Sequence, residues 1–245
     1  MKMSAILLAG GKGVRMGTPL PKQFLPLNNY PLALYSLDVL LQVKQIKQII
    51  VVCAEEYRYF FAGMPVHFAH PGAQRQDSVY NGLRMVDLDI EWVCVHDAAR
   101  PFITCSLVHT LLKVGKKVDA ASLAMPVKNT LKEIKQTQEV ARTLDRSLIW
   151  EIQTPQLLKK STLLAGFDYA HTHGLQVTDD LSLAELVGHR VKLVRGSHQN
   201  IKITTPEDLS FAEWIIHKNT VCVSPTMEHA TAAGKFSPMA SLSKG

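Results

Sequence analysis

The sequence predicts an α/β fold in which a mostly parallel sheet is covered by helices on both faces, and two observations predict it. Short runs that are apolar almost throughout, rather than alternately, recur along the 245 residues, as strands buried on both sides require. Between them lie segments whose apolar residues recur at helical spacing. In such sheets ligands sit beyond the carboxyl ends of the strands, which is where the chemistry is expected.

The first run, Ala5-Ile6-Leu7-Leu8-Ala9, is an opening strand. It is too short for a signal-peptide core and leads into glycines and basic residues, so it is expected to be the first strand of a mature protein. Further strands are expected at 48–53, 66–69, 91–96, 120–125 and 191–194, and helices at 31–43, 78–86, 104–115, 158–173, 179–187 and 206–218. Ser78 is a candidate N-cap for the second helix, with Val79, Leu83 and Val86 on one face. Thr104 is a candidate cap for the third, burying Leu107, Val108, Leu111 and Leu112. Thr178-Asp179-Asp180 and Thr205-Pro206-Glu207-Asp208 are helix starts, the latter with proline at the first position. One segment breaks the rhythm: between 126 and 152, β-prone runs flank the polar stretch Lys132 to Glu139, which predicts a protruding hairpin or arm. The stretch 219–245 lacks periodicity and is rich in Ser, Thr, Ala and Gly, so disorder is expected there. The organisation is thus one domain over 1–218, with an arm at 126–152 and a tail.

With 47% apolar and 20% charged residues, the composition is that of a globular protein, neither disordered nor fibrous. No run of eighteen apolar residues exists, so no membrane span is expected. Cys53, Cys94, Cys105 and Cys222 show no C-x-x-C pairing, which argues against a zinc site or disulfide framework and for a reducing, cytoplasmic setting. The net charge of +6 comes without a dense basic run or basic–aromatic interleaving, so small phosphorylated ligands suit it and nucleic acid is not an expected partner.

The strongest chemical signal follows the first strand: Ala9-Gly10-Gly11-Lys12-Gly13-Val14-Arg15-Met16-Gly17, then Pro21-Lys22-Gln23. Glycines here, Gly10, Gly11 and Gly13 first, let the backbone turn tightly and present N–H groups to phosphate oxygens. Arg15 and Lys22 add two cations. No G-K-[ST] closes the loop, so it is not a P-loop, and the late glycine spoils a dinucleotide fingerprint. The second signal is Val95-His96-Asp97-Ala98-Ala99-Arg100-Pro101. Asp97 ends a buried strand, where one carboxylate with substrate phosphates is enough for magnesium; its bland alternative is a turn cap. Arg100 either holds an anion or pairs with Asp97. His96 is expected to be a satisfied core histidine. Lys202, between Ile201 and Ile203 in a β-like run, faces away from both, as a charged pocket needs.

Together, in this order, these motifs resemble the 2-C-methyl-D-erythritol 4-phosphate cytidylyltransferase family over essentially 4–218. The matching pieces are the loop 10–23, Arg75-x-x-Ser78-Val79 with Gly82-Leu83, the 95–101 segment, Thr154-Pro155-Gln156, Thr178-Asp179-Asp180 with Ser182, and 200–209. The resemblance implies a three-layer Rossmann-like nucleotidyltransferase fold of the GT-A-like kind. It implies a reaction in which CTP and methylerythritol phosphate give the cytidine diphospho-alcohol and pyrophosphate, a step of non-mevalonate isoprenoid precursor synthesis. Arg15 and Lys22 would stabilise the transition state, and Asp97 would hold Mg2+ on the triphosphate. Arg146 and Lys202 would position the acceptor phosphate, with Thr130, Thr154 and Arg100 assisting. Ala9, Gly10, Gly72, Ala73 and Ser78 would contact the base, and the arm would exchange between two subunits, carrying Thr130 and Arg146 into the partner's site. Three positions depart from the family pattern: Gly10 stands where alanine is common, Pro71 where glycine is, and Ala73 where an acidic residue is frequent. The related ribitol 5-phosphate cytidylyltransferases share the pattern of Leu8-Ala9-Gly10-Gly11 and of Leu20 to Leu25, whereas Ala98-Ala99-Arg100 and Thr178-Asp179-Asp180 favour the methylerythritol enzyme. Readings of other classes are a nicotinamide-dependent oxidoreductase using the glycine loop, and a nucleotide-sensing module that binds CTP without turnover.

Overall fold

The computed structural model describes residues 1–11, 13 and 16–218; Lys12, Val14, Arg15 and the 219–245 segment, with its Cys222 and the disorder expected of it, lie outside the described residues. The chain begins with β1 (Met3–Leu8) and, after a small antiparallel ribbon of β2 (Pro26–Leu27) and β3 (Tyr30–Pro31), forms α1 (Leu32–Gln42). Then come β4 (Ile46–Val52), β5 (His67–Ala69), α2 (Arg75–Leu83), β6 (Trp92–Asp97), α3 (Cys105–Gly115) and β7 (Ala120–Pro126). A hairpin of β8 (Lys132–Ile134) and β9 (Val140–Thr143) precedes β10 (Trp150–Lys159), α4 (Lys160–Thr172), α5 (Leu181–Leu186), β11 (Val191–Arg195) and α6 (Pro206–Lys218).

The main sheet runs β11-β7-β10-β6-β1-β4-β5. Only β10 is antiparallel to its neighbours; the other pairings are parallel. Three layers follow from the strand alternation. Met3, Ala5 and Leu7 point into one core with Leu37 and Leu40 of α1 and Val108 and Leu111 of α3. Ile6, Ile50 and Val52 point into the other, against Val79 and Leu83 of α2, Leu163 and Phe167 of α4 and Leu183 of α5. A smaller cluster seats α6 through Ala212 on Leu27, Leu32, Ala99 and Ile203. No described helix is long and apolar enough to cross a membrane.

The strand order reverses beside β1: the chain moves out to β4 and β5, then returns to place β6 on the other side. Leu8 pairs with Asp97 at this switch point, so the glycine-rich loop and Asp97 leave the sheet side by side.

Several elements differ from the sequence expectations. The strand β10, central in the sheet, was expected only as the margin of an arm and the start of a helix. Pro155 and the polar Gln153, Thr154 and Gln156 disguise it, because proline and buried polar groups both argue against a central strand. Its pairing with β7 breaks between Ile152 and Gln156, and Pro155 sits in that bulge, where no ladder donor is needed. The helix expected from residue 158 therefore starts at Lys160. Ser78 lies inside α2, which is capped instead by a reciprocal pair of Gln74 and Asp77. Thr104 does cap α3, accepting from the Leu107 backbone, while Leu107 itself is only half-buried. Lys202 lies outside the sheet, in chain with no regular structure, rather than in a β-run; Ile203 beside it is buried and Lys202 is half-buried.

Candidate active site

The loop after β1 is clamped from within. Gln23 is buried and donates to the carbonyls of Ala9 at 2.7 Å and Gly11 at 2.8 Å, so those backbone groups are turned inward. Gly13 has φ +64°, and a Cβ there would lie 2.9 Å from the Lys22 nitrogen; both facts require glycine. Lys22 thus follows directly on the loop, at the head of a one-turn 3-10 helix (Lys22–Phe24).

The segment after β5 closes against the same loop. A Cβ on Gly10 would lie 2.5 Å from Pro71 Cβ, and one on Gly72 would lie 2.2 Å from Asp77 Cβ. The Gly72 N–H donates to Ser78 Oγ at 3.0 Å. Ala9, Gly10, Gly72 and Ser78 are thereby gathered at one edge, with Ala73 exposed next to them. Gly72→Ala is expected to destabilise the fold by about 1–3 kcal/mol, the usual cost of overpacking, because the clash is with a Cβ held by the α2 capping pair; urea unfolding checks this, and an unchanged midpoint would refute it.

Beyond β6, a cleft of 630 Å³ is lined by Arg75, Asp97, Arg100, Thr154, Gln156 and Lys202, with Asp179, Ser182 and Glu185 on the far wall, a size suited to a small-molecule ligand. Asp97 Oδ2 accepts from Lys202 Nζ at 2.7 Å and Oδ1 from Arg75 Nε at 3.4 Å. Burial alone would raise the Asp97 pKa, but the Arg75 and Lys202 charges, helped by Arg100, hold it well below the usual carboxylate range. Arg75 also grips Asp180 with two parallel hydrogen bonds of 2.9 Å, the strong planar form of this pair. Burial would lower the Arg75 pKa, yet Asp180 and Asp97 raise it above its ordinary value.

A buried polar chain sets the height of Asp97. Its backbone N–H donates to Thr154 Oγ1 at 3.0 Å, and the Thr154 hydroxyl donates to His96 Nδ1 at 2.9 Å. His96 Nε2 then donates to the Arg100 carbonyl at 3.1 Å, so the imidazole is neutral with its proton on Nε2. Burial pushes its pKa down from 6.5 to about 4, against the opposing pull of Asp97. Across that window the unfolded chain takes up a proton that the folded chain refuses. Stability is therefore full above the window and falls with pH through it, by roughly 1.4 kcal/mol per pH unit. Denaturant melts across the window, compared with His96→Gln, check this; equal slopes in the two proteins would refute it.

Arg100 does not pair directly with Asp97. Its guanidinium donates to the carbonyl of Asn200 at 2.7 Å and of Ile152 at 3.4 Å. Asn200, fully buried, donates in turn to the Thr154 carbonyl at 2.9 Å and Gln153 Oε1 at 3.2 Å. This ties the segment carrying Lys202 to the bulge in β10.

The matches with known proteins agree with this geometry. The family model for 2-C-methyl-D-erythritol 4-phosphate cytidylyltransferase matches residues 3–218. The chain belongs to this family. A chloroplastic 2-C-methyl-D-erythritol 4-phosphate cytidylyltransferase of Oryza sativa subsp. japonica is 46% identical over 222 residues, covering 88% of this chain and 75% of that protein. The enzyme of the same name from Chlamydia pneumoniae is 44% identical over 216 residues, covering 88% of this chain and 100% of the other. The crystal structure of 4-diphosphocytidyl-2C-methyl-D-erythritol synthase from Anaerococcus prevotii superposes with a TM-score of 0.79 at 29% identity, covering 88% of this chain and 98% of that one.

In this cytidylyltransferase the cleft unites Asp97, Arg100, Thr154 and Lys202 from the sequence expectations. Lys22, Ala9, Gly10, Gly11, Gly13, Gly72, Ala73 and Ser78 form the neighbouring edge rather than lining the cleft. Arg15 lies outside the described residues. Thr130 and Arg146 are exposed, and Arg146 donates to the Lys128 carbonyl at 2.8 Å, at the base of the arm. Neither is among the residues lining the cleft. Sequence reasoning placed Arg75, Asp180 and Asn200 in matching motifs but named none of them as a site residue. Arg75 carried one usable signal, a charged residue at a strand-to-helix junction facing the switch point. Thr178-Asp179-Asp180 is a helix start as expected, with Asp180 immediately before α5; the side-chain bond to the helix comes from Asp179, which accepts from the Ser182 backbone at 3.1 Å, while the Asp180 carboxylate goes to Arg75.

Proposed function

We propose that the chain transfers the cytidylyl group of CTP to 2-C-methyl-D-erythritol 4-phosphate, releasing pyrophosphate. The observation that carries this reading is the Lys202–Asp97 ion pair of 2.7 Å at the switch point, beside the glycine loop of a cytidylyltransferase. An acceptor phosphate oxygen attacks the α-phosphorus in line while the bond to the bridging α–β oxygen breaks and its electron pair leaves with pyrophosphate. Such transfers ask the protein for position and charge rather than covalent work. Lys22 and Arg15 meet the charge that develops on the α-phosphoryl group. Lys202 and Arg100 face the cleft as the cations available to an acceptor phosphate.

Asp97 fits a divalent cation: it is ionised, and two of its four lone-pair directions are left by Lys202 and Arg75. Among the described residues no cluster of three His, Cys, Asp or Glu side chains gathers, so Mg2+ would draw its other ligands from phosphate oxygens and water, as it readily does. Bound there, it would neutralise triphosphate charge. Domain organisation follows the same reading: one nucleotidyltransferase unit over 1–218, with 126–152 as an arm. Every residue of β8 and β9 is exposed, which supports an arm that packs on a second copy and delivers Thr130 and Arg146 to its cleft. Buried, unpaired Cys53 and Cys94 are compatible with a reducing compartment such as the cytoplasm or, as in the rice relative, the plastid.

Pyrophosphate release from CTP with magnesium tests this, with methylerythritol phosphate and ribitol phosphate offered in parallel. Release with the first acceptor alone is expected. Release only with ribitol phosphate would overturn the acceptor, and binding of CTP without release would overturn the enzyme reading.

A further inference from the structure

A second recess, of 460 Å³, opens where the C-terminal turn of α3 meets the start of β11. Lys113 and Lys117 reach it from the α3 side and Arg190 and Lys192 from the strand, around an apolar wall of Val114 and Val118. Four cations on one recess repel one another unless something answers them. None of the four takes part in an ion pair or side-chain hydrogen bond among the described residues. Two ordinary explanations fail. The lysines are not needed to satisfy the end of α3, because backbone N–H groups of Lys116, Lys117 and Val118 already bond the carbonyls of Leu112, Val114 and Gly115. The adjoining carboxylate is not theirs either: Asp119 is held by Lys159 at 2.8 Å and His189 at 3.1 Å.

We propose that this recess is an accessory binding site for a small organic phosphate bearing a short apolar chain. Arg190 offers the planar fork that grips phosphate through two hydrogen bonds, and the lysines add point charges around it. The valine wall then takes the chain. The site is distinct from the catalytic cleft. Val191 borders both, but Leu193 lines the cleft and not the recess, and Lys192 the recess and not the cleft, as neighbouring residues of a strand face opposite sides of a sheet. The edge strand β11 therefore separates two phosphate-binding sites of different chemistry.

The test is residue-by-residue amide shift mapping on the 15N-labelled full chain, titrated with inorganic phosphate and with butyl phosphate. Saturable shifts are expected at 113–118 and 190–192, with butyl phosphate binding on the order of tenfold tighter, the worth of about two buried methylenes. Arg190→Glu with Lys192→Glu, and separately Lys113→Glu, should abolish these shifts while leaving pyrophosphate release from CTP unchanged. Shifts confined to the cleft, equal shifts with sodium chloride, or no preference for butyl phosphate would each overturn the proposal. So would co-sedimentation with phosphatidylglycerol vesicles by a protein that ignores butyl phosphate, since that would make the recess a membrane contact.

Discussion

Lys22→Ala is expected to lower turnover by 10² or more, the order seen when one preorganised charge is removed from a transition state, with almost no change in melting temperature. The lysine's position is built by its neighbours. Gln23 anchors the turn to the carbonyls of Ala9 and Gly11, and Phe24 is buried in a stack with Tyr57 and Phe60 at centroid distances of 4.8 and 4.7 Å. Gln23→Ala should do the reverse. It strips the buried Ala9 carbonyl and the Gly11 carbonyl of their donor, costing about 1–3 kcal/mol, and disturbs catalysis only through the loop. Single-turnover pyrophosphate release and thermal melts on both variants separate the two effects. Near-normal turnover in Lys22→Ala would remove the residue from the chemistry.

Arg146→Ala should raise the KM for the acceptor far more than it lowers kcat, because a residue that only holds the ground-state phosphate contributes uniform binding. Mixing Arg146→Ala with Lys22→Ala subunits should then recover activity. If each site is built from one subunit's loop and its partner's arm, random pairing gives half heterodimers with one intact site of two, about a quarter of wild-type activity at an acceptor concentration near the wild-type KM and well below that of Arg146→Ala. The structure motivates the test: Arg146 sits exposed at the root of a hairpin whose strand residues are all exposed within its own chain. Recovery is read after refolding the two variants together, against each refolded alone. No gain over the separate variants would place Arg146 and Lys22 in the same subunit's site and remove the arm exchange.

Much of the protein was legible before any tertiary contact was known, for identifiable reasons. Parallel strands buried on both faces are apolar at every position, which made β1, β4, β6 and β7 visible. The glycines around residues 10–13 and the strand-ending Asp97 mark a phosphate site because backbone approach and an ionised carboxylate are properties of residue type and order. Local caps were partly legible: Thr104 caps α3, but α2 is capped by the Gln74–Asp77 pair rather than by Ser78. The central strand β10 was not legible, since Pro155 and three buried polar residues look like loop until Ser122, Asp97 and Asp180 supply their partners: Ser122 Oγ donates to the Gln153 carbonyl at 2.8 Å, and the Asp180 N–H donates to Gln156 Oε1 at 2.8 Å.

The sequence by itself determined the class of fold and the two loops that meet at the switch point, because these follow from periodicity and from local backbone requirements; the family came from the resemblance of its motifs. Only the tertiary structure decided which charges answer one another. Arg75 reaches Asp180 across 105 positions of chain, and Lys202 reaches Asp97 likewise from far along the sequence. Such pairings are set by which strands the sheet brings together at its carboxyl edge, a long-range outcome of packing that no local pattern records.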